Sequence, residues 1–195
     1  GQGLAIGPDL SLYAVGKFYY SVIKYSQSKT LNLKVLIDGL YDPLLNKMVK
    51  DTSTVYLRNT VSPYSVLDSA RSVLDSGGTG IFKFSFALNS VPYFLVVKHR
   101  NGLETWSTGG NSFVSGKLSY DFTTSASKAF GNNQLLKGSK YCLYSGDVNQ
   151  DGLIDASDLS AVDNDAAIAV IGYVNTDLNG DYIVDAGDIS IADNN

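Results

Sequence analysis

Along residues 30–130, apolar and polar side chains alternate in short runs. Leu31, Leu33, Val35 and Ile37 share one face of residues 31–38, and Val55 and Leu57 share one face of residues 54–58. Residues 81–86 and 93–98 repeat the pattern, and residues 118–122 would close a sheet. A period of two places alternate side chains on opposite faces of a strand. Turn signals punctuate these runs at Asp42-Pro43, Ser76-Gly77-Gly78, Asn89-Ser90, Asn101-Gly102 and Gly109-Gly110. Asn101-Gly102, between two apolar runs, predicts a hairpin with a type I′ turn. Strands this short and this closely spaced predict a β-sandwich.

The flanks differ. Residues 10–15 and 18–23 are apolar on both faces, which predicts one long or two short buried strands, paired within the chain or donated to a neighbour. Asp68, Arg71 and Asp75 fall at helical spacing and predict a short solvated helix over Val66–Leu74. The division is therefore an apolar β segment (1–29), a sandwich (30–130), a link (131–146) that ends in a short strand, and an acidic segment (147–195).

Charge sharpens that last boundary. The net charge of −4 hides eleven Asp and no Lys or Arg in residues 147–195, leaving 8 acids and 15 bases in the rest. The two parts carry −11 and +7. Eleven uncompensated carboxylates in so short a segment repel one another on folding, so a cation is expected among them.

Spacing says which cation. Residues 147–165 repeat at 177–195 with a register of 30 residues. In the first copy Asp147, Asn149, Asp151, Asp155 and Asp158 occupy positions 1, 3, 5, 9 and 12 of a loop, and position 7 offers the Leu153 carbonyl. The second copy has Asp177, Asn179, Asp181, Asp185 and Asp188, with Ile183 at position 7. Calcium takes six to eight oxygens in such a loop. Magnesium demands tighter octahedral geometry, and the segment has no Cys or His for zinc. Gly152 at position 6 suits a left-handed bend; Tyr182 stands there in the second copy, so the second site is expected to be the weaker. Ile154 at position 8 suits a β contact between the paired loops. Helices are expected over residues 159–169 and 189–193, begun by Ser157 or Asp158 and by Asp188.

A duplicated loop-then-helix with Asp at position 12 resembles the dockerin domain of cellulosome proteins. That resemblance implies a small α domain over residues 146–195, two calcium ions, a pseudo-twofold relation and a cohesin partner. Partner recognition in that family uses loop positions 10 and 11, here Ala156-Ser157 and Ala186-Gly187, which are small and offer little hydrogen bonding. Residues 31–195 together resemble a C-terminal module of secreted bacterial proteins, in which a prealbumin-like β-sandwich precedes such a repeat. This implies secretion and a surface or matrix association.

The remaining features point away from catalysis. Cys142 reads as a small buried residue. His99, beside a turn, reads as a surface histidine. Trp106 reads as a core or edge residue before a sugar platform. Ser65, Ser69 and Ser72 lack a nucleophile elbow, and the basic residues form no run that suggests nucleic acid. No apolar run is long enough to span a membrane. The expectation is a non-catalytic, secreted, calcium-binding structural protein that assembles with copies of itself into a fibre or surface layer. The alternative is a module that docks a cohesin or a polysaccharide.

Overall fold

A computed structural model describes residues 28–195, together with the backbone of three short strands before them. Those strands are β1 (Gly3–Ile6), β2 (Leu12–Val15) and β3 (Val22–Tyr25), paired antiparallel in the order β1-β2-β3. The expected strands at 10–15 and 18–23 thus lie only partly within the described residues.

The main body follows as β4 (Lys29–Lys34), β5 (Tyr41–Asp42), β6 (Lys47–Met48), β7 (Asp51–Asn59), β8 (Val66–Leu74), β9 (Thr79–Phe84), β10 (Pro92–His99), β11 (Gly102–Trp106), β12 (Asn111–Ser112) and β13 (Lys117–Asp121). One sheet runs β11-β10-β7-β8, with β12 also paired to β10; the other runs β13-β4-β9. In the second sheet β13 lies parallel to β4, with Leu118 opposite Leu31 and Tyr120 opposite Leu33.

Period two explains the core. Val55 and Leu57 of β7, with Tyr93, Leu95 and Val97 of β10, turn inward from one sheet. Leu31 and Leu33 of β4, with Phe82 and Phe84 of β9, meet them from the other. Burying a side chain of this size stabilises by about 1.5–3 kcal/mol, which ties the two sheets together. The chain is mainly β, and its two sheets share one buried layer.

Val66–Leu74 is strand β8, not a helix. Its residues pair antiparallel with β7, from Val66 opposite Arg58 to Leu74 opposite Asp51. Asp68 accepts from the N–H groups of Phe86 and Ala87, just beyond β9 of the other sheet. Pairing of eight of its nine residues with β7 makes this segment a strand and outweighs the local spacing of three charges. The hairpin between β10 and β11 turns at Arg100-Asn101, and Gly102 is already in β11 opposite His99. Neither turn residue nor Gly102 has a positive φ, so the turn is not type I′. A register shift between Val97 and His99 absorbs the difference.

The link is more ordered than a tether. Leu135–Lys137 (β14) and Lys140–Cys142 (β15) form a hairpin. Leu143 then pairs with the run after β4, donating to the Leu36 carbonyl at 2.8 Å and accepting from Asp38 at 2.9 Å. Cys142 is fully buried, as expected, and burial pushes its thiol up to about 12.

Beyond it lie helices α1 (Ala156–Ala167) and α2 (Ala186–Asp193) around a second core. Val148, Val162 and Leu159 of one copy correspond in it to Leu178, Ala192 and Ile189 of the other. Both helices start earlier than expected. Asp155 and Asp185 are the N-caps, and each completes a capping box with the acid three residues on, Asp158 or Asp188. The β contact at loop position 8 is also not between the loops. Val184 donates instead to the Val170 carbonyl, and Gly172 to that of Tyr182.

Candidate functional site: two acidic loops seated on the sandwich

The two loops are near copies in geometry. Asp158 is fully buried; its Oδ1 accepts from the N–H of Val148 (2.9 Å) and Asn149 (3.1 Å), and its Oδ2 from Asp155 (3.1 Å). Asp188 repeats this with Leu178 (2.7 Å), Asn179 (3.1 Å) and Asp185 (3.0 Å). Asn149 Oδ1 accepts from Asp151, and Asp151 Oδ1 from Leu153; Asn179, Asp181 and Ile183 do the same in the second loop. Side chains at positions 3, 5 and 12 thereby bend the backbone around one centre, as short acids and amides do in turns.

Each loop passes twice through the left-handed region, at positions 4 and 6. Position 6 carries Gly152 (φ 91°) and Tyr182 (φ 72°), and position 4 carries Gln150 (φ 62°) and Gly180 (φ 76°). Each copy therefore holds one non-glycine residue in strained backbone, at a different place. The bend at position 6 is legible from Gly152; the one at position 4 is not. A Cβ at Gly180 would meet Leu40 Cδ2 at 2.9 Å and Val49 Cγ1 at 3.0 Å, both on the sandwich side.

Burial and charge set the chemistry. Asp147, Asp158, Asp177 and Asp188 are each at most 2% exposed. Burial raises the Asp147 carboxyl above its usual range, and the nearby Asp158 and Asp151 charges add to it, against the Gly152 N–H. Its Oδ1 is buried and has no hydrogen-bond partner among the described residues. Burial likewise raises Asp177, where the Gly180 N–H and Arg100 pull the other way. An orphaned buried carboxylate oxygen costs free energy unless a cation or donor meets it. The donors are carboxylate, amide and main-chain oxygens, the set a hard cation takes. Among the described residues, no three acidic, His or Cys side chains close tightly on one point; the carboxylates are engaged with the backbone instead.

A second cluster joins the loops to the sandwich. His99 is 3% exposed, not a surface residue: its Nδ1 lies 2.9 Å from Asn101 Oδ1 and its Nε2 3.1 Å from Asp51 Oδ2. Asn101 Nδ2 donates to the Asp177 carbonyl at 2.9 Å. Arg100 donates from Nε to Asp51 Oδ2 at 3.0 Å and from its terminal nitrogens to the Val174 carbonyl and to Asp177 Oδ2, the latter at 3.5 Å. Its guanidinium lies 4.5 Å from the centre of the Tyr173 ring, whose hydroxyl donates to Asp51 Oδ1. Burial tends to raise Asp51, but the His99 ring beside it and the Tyr173 hydroxyl hold it well below the usual carboxylate range. At the far side, Asn195 donates to Asp38 Oδ2 (3.0 Å) and to the Ser145 carbonyl (2.9 Å).

Trp106 lines a separate cavity of about 350 Å³ with Tyr64, Phe94 and Phe130. Arg58 covers part of its ring at 5.1 Å, and its Nε1 donates to Glu104. No described helix is long and apolar enough to cross a membrane.

No family model and no curated protein matches the chain. Among solved structures, it is similar to a chain of a C-terminal interface mutant of a type II cohesin–X–dockerin complex from Acetivibrio cellulolyticus. That similarity has 17% identity and a TM-score of 0.51, and covers 85% of this chain and 94% of that one. A chain of the N-terminal interface mutant from the same organism aligns at 18% identity with a TM-score of 0.47, over 86% and 92% of the two chains. The chain thus shares its fold with a component of a cohesin–X–dockerin complex.

Proposed function

We propose that this chain is a non-catalytic, secreted docking module whose C-terminal loop pair folds around two calcium ions. The observation that carries the metal is the buried Asp147 Oδ1 without a partner among the described residues, inside a loop whose donors are all oxygens. Asp147, Asn149, Asp151, the Leu153 carbonyl, Asp155 and Asp158 would hold one ion. Asp177, Asn179, Asp181, the Ile183 carbonyl, Asp185 and Asp188 would hold the other. Two ions take the acidic segment from −11 to −7, against +7 in the rest of the chain.

The shared fold supports docking, and a cohesin-like domain is the partner it suggests. The fibre or surface-layer reading draws on the opposite charges of the two parts and on the apolar segment 10–23 as a donated strand; Arg100 meets Asp177 within one chain, which favours docking on the charge argument. The best-connected titratable cluster, Asp51 with His99, Arg100 and Tyr173, is spent on holding the two parts together, which supports a non-catalytic role. Titration calorimetry of the full chain should show two calcium ions, and a chelator should lower the melting temperature. At a free concentration 100 times Kd, each ion adds about 2.7 kcal/mol. An unchanged melt in excess chelator defeats the calcium reading. Failure of a cohesin panel to capture the calcium-loaded chain defeats the docking one.

The aromatic cavity of Tyr64, Phe94, Trp106 and Phe130 favours a polysaccharide as a second reading. A glycan array decides it, with Trp106→Ala as the control.

A further inference from the structure

The two loops are copies, yet their first carboxylates meet different surroundings. Asp147 Oδ1 is buried without a partner among the described residues. Asp177 Oδ2 faces the Arg100 guanidinium at 3.5 Å, and the Asp177 carbonyl accepts from Asn101 at 2.9 Å. Arg100 comes from the β10–β11 turn, 77 residues away in the chain. It is 9% exposed at its side chain and fixed on three further groups: Asp51, the Val174 carbonyl and the Tyr173 ring. Its charge is therefore delivered at one place and cannot swing to the first loop.

We propose that Arg100 is a resident counter-cation for the second loop, making the two calcium sites unequal in what they need. This rests on the calcium reading above. Without metal, Arg100 neutralises part of the second loop and keeps it folded on the sandwich, while the first loop has no such substitute among the described residues. With metal, the same positive charge opposes the incoming ion. The second site is then the weaker in affinity and the more robust to chelation. Opposition from one fixed unit charge beside a divalent ion is worth about tenfold in affinity under water-like screening.

The test isolates each site by removing an exposed acid at loop position 5. Asp151→Ala leaves the second loop to be titrated alone, and Asp181→Ala leaves the first. In the Asp151→Ala chain, Arg100→Met should tighten calcium about tenfold by titration calorimetry. It should also lower the melting temperature in chelator more than it does in calcium. In the Asp181→Ala chain the same substitution should leave affinity unchanged. Tyr173→Phe keeps the guanidinium and removes only the bond to Asp51, so it should leave affinity at the second site as it was. Arg100→Lys should retain most of the opposition.

Equal calcium affinity in the Asp151→Ala chain with and without Arg100→Met overturns the proposal. So does a Tyr173→Phe effect as large as that of Arg100→Met, because that pattern belongs to general loosening of the seat. A wild-type chain that takes up no calcium overturns the calcium reading itself, and with it this inference; two ions bound with no response to Arg100→Met overturns the inference alone.

Discussion

Gly39 gives the sharpest handle on how the acidic segment is seated. Its N–H donates to Ser145 Oγ at 2.9 Å, and a Cβ built on it would lie 2.3 Å from the Leu178 carbonyl oxygen and 3.1 Å from that carbonyl carbon. Its backbone is outside the left-handed region, so alanine has no conformational reason to be refused. The whole cost of Gly39→Ala is then steric, and it falls on the junction between sandwich and second loop. The obstacle is main chain, in a residue whose side chain is fully buried and whose N–H is held by Asp188. The carbonyl would have to retreat by about 0.7 Å merely to reach 3.0 Å. Forcing an extra methyl into packing of this kind costs about 1–3 kcal/mol. For a chain of this length, about 2 kcal/mol corresponds to roughly 4–8 °C in melting temperature. Differential scanning calorimetry in saturating calcium should show that loss, with the acidic segment melting ahead of the sandwich as a separate shoulder. A Gly39→Ala melt within about 1 °C of wild type, as a single transition, would refute the seat described here.

Further outcomes follow from the same geometry. Tyr182→Gly should relieve left-handed backbone and raise stability by about 0.5–1 kcal/mol, the strain of a non-glycine residue less the entropy glycine adds to the unfolded chain; urea unfolding in calcium measures it, and a loss would count against the strain. Gln150→Gly should not repeat that gain, because the Gln150 side chain donates to the Asp147 carbonyl at 2.6 Å; equal gains from the two substitutions would contradict this. Asp51 has a depressed pKa in the folded chain, so its charged form adds stability that is fully present above the unfolded value of about 3.9 and is lost as pH falls below it towards the folded value. Asp51→Asn should therefore flatten the acid side of the stability curve, and a curve merely displaced downward in parallel would show that the ion pair is not responsible.

What could be read in advance divides by distance along the chain. The fold of the loops was legible because each set of oxygen-bearing side chains falls within one short stretch, 147–158 or 177–188, and the second repeats the first at a fixed register. Period two likewise exposed the inward faces of β4, β7, β9 and β10. The β8 strand was not legible, because Asp68 and Arg71 imitate a helix turn while what makes the segment a strand is its pairing with β7. His99 was misplaced for the same reason: the chain beside it is polar, and Asp51, which meets its Nε2, lies 48 residues back in the chain. Arg100 carried no local signal at all, since one arginine in a turn acquires its meaning only from a carboxylate 77 residues on. The parallel pairing of β13 with β4 is likewise a matter of topology, which alternation cannot express.

The placement of glycine in the two loops has a consequence for how freely the duplicated halves can be exchanged. At position 6 either residue type can stand: Gly152 has no atom within 4 Å of where a Cβ would be, and Tyr182 is 57% exposed. At position 4 the traffic runs one way. Glycine could replace Gln150, but no side chain fits at Gly180 without displacing Leu40 or Val49. A chain carrying the first loop in the second place would have to push Leu40 and Val49 aside, while the reverse graft puts a glycine at position 4 and meets no such demand. The repeat is symmetric as a fold and polar as a set of spare parts.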